Sequence, residues 1–192
     1  MGRLFLRVIV RIVLPVIHKL FTMALGVKPL ARSGSVICVE PRRHKGSVVR
    51  LMDGCEVRPG DHVIKLHFDN AWFNEKRQSG LTPRSSVPFG LFHYFKDDFR
   101  LLAAQMTDGK YSDVIALYGW TVLHAPAKRL GFQVIDLPNT LRTKLAQFYI
   151  IGLMHAYHIL WCREYNVSQR PLQVKAVWLS RAELLRLYGP HS

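Results

Sequence analysis

The sequence predicts a mixed α/β domain: a mixed sheet, antiparallel in its N-terminal part and βαβ in its C-terminal part, preceded by an amphipathic helix. Three observations predict it. Runs rich in β-branched residues crowd into residues 35–70, separated by polar turns. From residue 108 onward, short β-branched runs alternate with helical patterns. The first thirty residues join an apolar body to a basic stripe and hold no acidic residue. A chain of 192 residues suits one domain with an appendage. We therefore divide it into a helix over 1–30 and a domain over 31–192.

In the first segment Arg3, Arg7 and Arg11 recur every fourth position, and His18, Lys19 and Thr22 continue their stripe. Leu6, Ile9, Val13, Val16 and Leu20 gather on the other side. Arg7 and Arg11 interrupt the apolar run, which argues against a secretory signal. Arg11 near the middle and Pro15 argue against a spanning helix. A helix lying in the interface, with Arg3, Arg7, Arg11 and Lys19 at headgroup level, fits better.

Gly26 to Pro29 end that helix. SVICVE (35–40) and SVVRL (47–51) read as strands around a polar turn, PRRHKG (41–46), which suggests a hairpin. DHVIKLHFDN (61–70) is a third strand, with Val63, Lys65 and His67 on one face and Ile64, Leu66 and Phe68 on the other. QSGLTPRSS (78–86) is loop-like. Pro88 then sits near a helix start, with Ser85 and Ser86 as caps. Phe89, Phe92, Phe95, Phe99, Leu102 and Met106 follow at spacings of three and four, a core-facing stripe. SDVIALYG (112–119) is a buried strand, HAPAKRLG (124–131) a short helix closed by Gly131, and FQVIDLP (132–138) the next strand. Asn139 caps a long helix to about His158. LQVKAVWLS (172–180) is the last strand, and SRAE (180–183) is a capping box for a final helix. The alternation argues for parallel pairing in this half, with the 112–119 and 132–138 strands neighbours or near neighbours.

Apolar residues make up 49% and charged residues 21%, which excludes a disordered chain. The net charge is +14, and residues 1–50 hold ten Lys or Arg against one acid, Glu40. Such a patch attracts anionic lipid, nucleic acid or acidic glycan. No zinc-finger spacing, RNP-type strand or zipper supports nucleic acid, so an anionic membrane surface is the preferred partner. Cys38, Cys55 and Cys162 are odd in number and widely spaced. They read as free thiols in a reducing compartment, hence a cytoplasmic protein peripheral to the inner membrane face.

No serine elbow, P-loop or HExxH motif is present. His67, Asp69 and Asn70 leave the third strand together. His67 can act as a general base oriented by Asp69, or the group can simply cap the strand end. His124 opens a helix and can polarise a substrate. Should the third strand lie parallel beside 112–119, His67 and His124 would emerge at one edge as a two-histidine crevice, with Asn70 or Arg129 on its wall. His155 and His158 are three apart, but no carboxylate joins them, so no metal and no cofactor is expected. Arg77, Gly80 and Thr82 partly match the R-x-x-G-x-G/A loop of N-acetyltransferases of the GNAT type, and KRLGF (128–132) resembles a late junction of that fold. Thr82 replaces the final small residue, and Pro83 removes a backbone donor.

GDHVIKLHFDN (60–70), TVLHAPAKRLGF (121–132) and VWLSRAELLRLYG (177–189) together resemble the YkoP-like domain, a bacterial domain found alone or appended to some polysaccharide deacetylases. The resemblance covers roughly 33–189. It implies cell-envelope glycan metabolism by domain company, with an envelope glycan or a polysaccharide deacetylase as partner. His67, Asn70, His124 and Arg129 stand in the matching segments. The deacetylases' acid motif and metal-binding histidine pair are absent, for Asp97-Asp98 lies inside a helix. The expectation is a non-catalytic accessory or binding protein. The alternatives are an acyl-CoA-dependent N-acyltransferase-like enzyme and a nucleic-acid-binding protein.

Overall fold

A computed structural model describes residues 14–31, 34–70, 72, 73, 75, 87–156 and 172–190. Its elements are α1 (Leu14–Ala24), β1 (Lys28–Pro29), β2 (Ile37–Arg43), β3 (Val49–Arg50), β4 (Glu56–Val57), β5 (His62–Phe68), α2 (Val87–Thr107), β6 (Val114–Thr121), α3 (His124–Arg129), β7 (Gln133–Ile135), α4 (Leu141–Ala156), β8 (Lys175–Ser180) and α5 (Arg181–Tyr188). Six strands form one sheet in the order β1-β2-β5-β6-β8-β7, while β3 and β4 form a separate ribbon. β5 and β6 run parallel; the other neighbours in the sheet are antiparallel. The mixed α/β class stands.

Alternation in β5 sorts its side chains as the sequence indicates. Ile64, Leu66 and Phe68 belong to the main core, and Val63 joins a second cluster with Ala116, Ala176 and Trp178 on the opposite face. α2 lays its stripe on the main core: Phe95, Phe99, Leu102 and Met106 are buried, and Phe92 packs beside them half-buried. The Phe99 ring lies 5.3 Å from Phe132 and 5.4 Å from Tyr188, so α2 wedges between the start of β7 and α5. Each large side chain taken fully from water here contributes about 1.5–3 kcal/mol. Gly131 ends α3 at φ +90°, and a Cβ there would lie 2.3 Å from Leu187, so only glycine suits the junction.

Two polar side chains tie this first face together. Buried Asp98 of α2 accepts from the backbone N–H groups of Val36 (2.8 Å) and Ile37 (2.9 Å), which fixes the entry to β2. Arg181 donates to the carbonyls of Met106 (3.0 Å) and Tyr111 (3.1 Å), occupying acceptors at the end of α2. Half of the expected capping box forms: Ser180 Oγ accepts from Glu183 N at 2.9 Å, while the Glu183 carboxylate pairs with Arg186 instead of turning back to Ser180.

Four expectations need correction. The 35–40 and 47–51 runs are not a hairpin, because β2 pairs with β1 and β5 while β3 pairs with β4. Pro41, Arg42 and Arg43 are strand rather than turn. Proline is tolerated there because β1 reaches only as far as Val39, leaving the Pro41 edge without a ladder to break. The C-terminal half is not parallel throughout. β8 lies between β6 and β7 and opposes both, so those two are parallel near neighbours with β8 between them. The reason is burial: five consecutive residues of β8 are buried, whereas β7 is half-buried along its length and takes the edge. Finally, Thr140 rather than Asn139 caps α4, its Oγ1 accepting from Thr143 N at 3.2 Å.

Candidate functional site

The register of β2 against β5 builds the site. Cys38 opposes His67 and Glu40 opposes Lys65, so these four share one face of the sheet with Arg42. On the diagonal, Glu40 Oε2 is 2.8 Å from His67 Nε2, and Glu40 Oε1 accepts from Arg42 NH1 at 3.0 Å. β6 adds Tyr118, opposite Lys65, with its ring stacked on Trp178 at 4.7 Å. α4 adds Arg142, whose charge bears on both Lys65 and Tyr118. α1 arrives beside them: His18 Nδ1 is 2.8 Å from the Tyr149 hydroxyl of α4, and His67 bears on His18 electrostatically.

Glu40 is 4% exposed, a buried carboxylate in a strand. Burial pushes its pKa up, but the His67 hydrogen bond, with Lys65 and Arg42, outweighs burial and leaves it below the ordinary value. Burial also lowers His67, against the pull of Glu40, so its imidazole is held neutral and oriented by a carboxylate. Lys65 is lowered by burial, then by Arg42 and Arg142, with only Glu40 opposing. Burial raises Tyr118. Burial, followed by Asp69 and Asp98, pushes the Cys38 thiol up to about 12, so it is a neutral side chain beside His67. The balance is Arg42, Lys65 and Arg142 against Glu40. A half-buried centre with this surplus of positive charge is complementary to a phosphate or carboxylate.

The expected site residues distribute differently from the reading of the sequence. His67 is at the centre, but the carboxylate holding it is Glu40. Asp69 instead caps the helical residues that follow β5, its Oδ1 accepting from Trp72 N at 3.3 Å, with Asn70 half-buried at their start. β5 and β6 do run parallel, so His67 and His124 both leave at carboxyl ends of that pair. The groups bearing on His124 are Lys175, Lys128 and Asp136, those on His67 are Glu40, Lys65 and Arg42, and no member is shared. Burial is the main cause lowering His124. Arg129 is exposed on the last turn of α3. Arg3, Arg7 and Arg11, the 77–82 loop, Cys162 and His158 lie outside the described residues, as does the side chain of His155. Among the described residues no cluster of His, Cys, Asp or Glu could hold a metal.

Glu40, Arg42, Lys65, Tyr118 and Arg142 escaped the sequence reading. One signal pointed to them: Glu40 is the first acid of the chain and sits in a β-branched run. A charge inside such a strand demands a partner.

Comparison with known proteins agrees with the three sequence segments. The model of a family described as the YkoP domain matches residues 7–188. A relative from Bacillus subtilis (strain 168), named "Uncharacterized protein YkoP", is 33% identical over 108 residues, covering 55% of this chain. The match spans 57% of that relative's length. No solved structure matches.

Proposed function

This chain belongs to the YkoP domain family, and we propose that it is a non-catalytic binding protein serving bacterial envelope polysaccharide metabolism. It holds an anionic group of an envelope glycan at the Glu40–His67 centre. It works beside a polysaccharide deacetylase, at the inner membrane face, on the basic stripe of Arg3, Arg7, Arg11 and Lys19. The observation that carries the reading is that Arg42 and Lys65 meet one buried carboxylate, Glu40, while Arg142 bears on Lys65 beside them, a surplus of charge that folding alone does not need. No described helix is long and apolar enough to cross a membrane. Titration calorimetry tests it with oligosaccharides carrying uronate or phosphodiester groups beside neutral ones. The anionic fragments should bind, with affinity falling as salt rises and falling again in Lys65→Met. Equal binding of neutral fragments, or binding unchanged in both Lys65→Met and Arg42→Gln, would overturn it.

One observation favours a second reading, acyl transfer to an amine. The parallel ladder ends at Lys65 and Tyr118, yet β5 runs on to Phe68 and β6 to Thr121. Leu66 and Gly119 still lie side by side, and the strand ends past them would offer backbone amides and carbonyls to an amide-bearing pantetheine arm. His67, oriented by Glu40, would take the proton of the attacking amine. Acetyl-CoA at about 100 times its dissociation constant should then stabilise the fold by about 2.7 kcal/mol. No shift in melting temperature would remove this reading and leave the first.

A further inference from the structure

We propose that α1 and α4 together form a two-helix face that docks on an anionic lipid surface. This deepens the peripheral-membrane reading and rests on it, but it assigns half of the contact to a helix from the middle of the chain. Val16, Ile17, Leu20 and Met23 of α1 are between 49% and 69% exposed, and Leu141, Leu145 and Phe148 of α4 between 63% and 74%. Both helices carry these side chains at i, i+4 and i+7, which is one stripe on each. Seven of the eleven exposed large apolar residues among those described stand on these two helices. Singly exposed apolar residues are ordinary, whereas a cluster marks a contact surface.

Both helices turn polar side chains inward along part of their length. α1 turns His18 inward to the Tyr149 hydroxyl of α4. α4 turns Gln147 to the Leu172 carbonyl at 3.1 Å and buries Thr143. An ordinary surface helix keeps its apolar side chains on the buried side; α4 buries Leu153 and Met154 in its last turns, yet its first turns leave a second apolar stripe facing out. α1 and α4 pack side by side through His18 and Tyr149, so the two outward stripes stand on neighbouring helices.

Charge selects the occupant. Lys19, Arg142 and Lys144 are exposed on the same helices, and neither residues 14–31 nor 137–156 contain an acid. A second copy of the chain would set these bases against their own images across a twofold axis, which is repulsive. A bilayer with anionic headgroups takes both parts: apolar side chains at the acyl boundary, bases at the phosphates.

The test is co-sedimentation with vesicles of phosphatidylglycerol and phosphatidylcholine in equal parts, beside vesicles of phosphatidylcholine alone. The wild-type chain should bind the mixed vesicles preferentially. Leu141→Gln, Leu145→Gln and Phe148→Gln together should weaken that binding by about tenfold or more while the unfolding midpoint stays put, since these side chains are exposed. If this variant binds like wild type while Arg3→Gln, Arg7→Gln and Arg11→Gln release the chain, α4 has no part and only the peripheral-membrane reading survives. If wild type ignores both vesicles, both fall. A dimer in sedimentation velocity that the α4 variant dissolves would make a second copy the occupant and overturn the proposal.

Discussion

The two faces of the sheet use polar groups in opposite ways. On the face covered by α2, α3 and α5, two buried polar side chains close onto backbone groups. Asp98 takes two N–H groups at the entry to β2, and Arg181 closes carbonyls at the end of α2. On the face that carries Glu40, Arg42 and Lys65 attend one carboxylate with Arg142 beyond Lys65, and α1 and the first turns of α4 turn apolar side chains to water. The first arrangement is what stability requires. The second brings like charges together and leaves hydrocarbon in water, neither of which stabilises a fold.

Substitutions sharpen the contrast, and the largest effects belong to the first face. Phe99→Ala empties a site lined by Phe132 and Tyr188 and should cost about 4 kcal/mol in urea unfolding. Asp98→Ala leaves two buried N–H groups without an acceptor and should cost about 3 kcal/mol, with Asp98→Asn recovering part of it. A small loss for both would dissolve the distinction between the faces. On the second face Lys65→Met should be neutral or stabilising, by up to about 1 kcal/mol, because it removes a base held between Arg42 and Arg142. A loss comparable to that of Asp98→Ala would make Lys65 a structural residue.

The smallest effect is a pH dependence. Burial depresses the His67 pKa below 6.5, so the unfolded chain binds the proton more readily. Its contribution is complete above 6.5 and is lost as pH falls toward the folded value. Melting temperature should therefore fall on acidification from pH 7 through this window, and His67→Gln should flatten that part of the curve. A wild-type profile level between pH 7 and 5 would mean the imidazole protonates in the fold as easily as outside it.

The first face was legible in the sequence because its signals are local. The stripe in α2, the alternation in β5 and the Ser180–Glu183 cap each lie within a few turns or residues of chain. The site was legible at one residue, His67. Its partner Glu40 is 27 positions away, and their contact depends on which strand β2 chooses. Pro41 hid that choice, since a proline followed by Arg-Arg reads as a turn. Arg142 and Tyr118 depend further on where β6 and α4 settle, a matter of long-range packing that no short window contains.

The placement of β8 has a consequence for how the molecule assembles. β8 follows every other described strand in the chain, yet its place is inside the sheet, between β6 and β7. Until it arrives, both of those strands present open edges, and Leu117, Leu130 and Phe132 wait for Val177, Leu179 and Leu184 to cover them. A nascent or partly refolded chain therefore carries a vacant slot lined with hydrogen-bonding groups and bare hydrocarbon. That is the geometry through which one molecule captures the strand of another, so domain swapping and aggregation are the failures to which this fold is most open during its making.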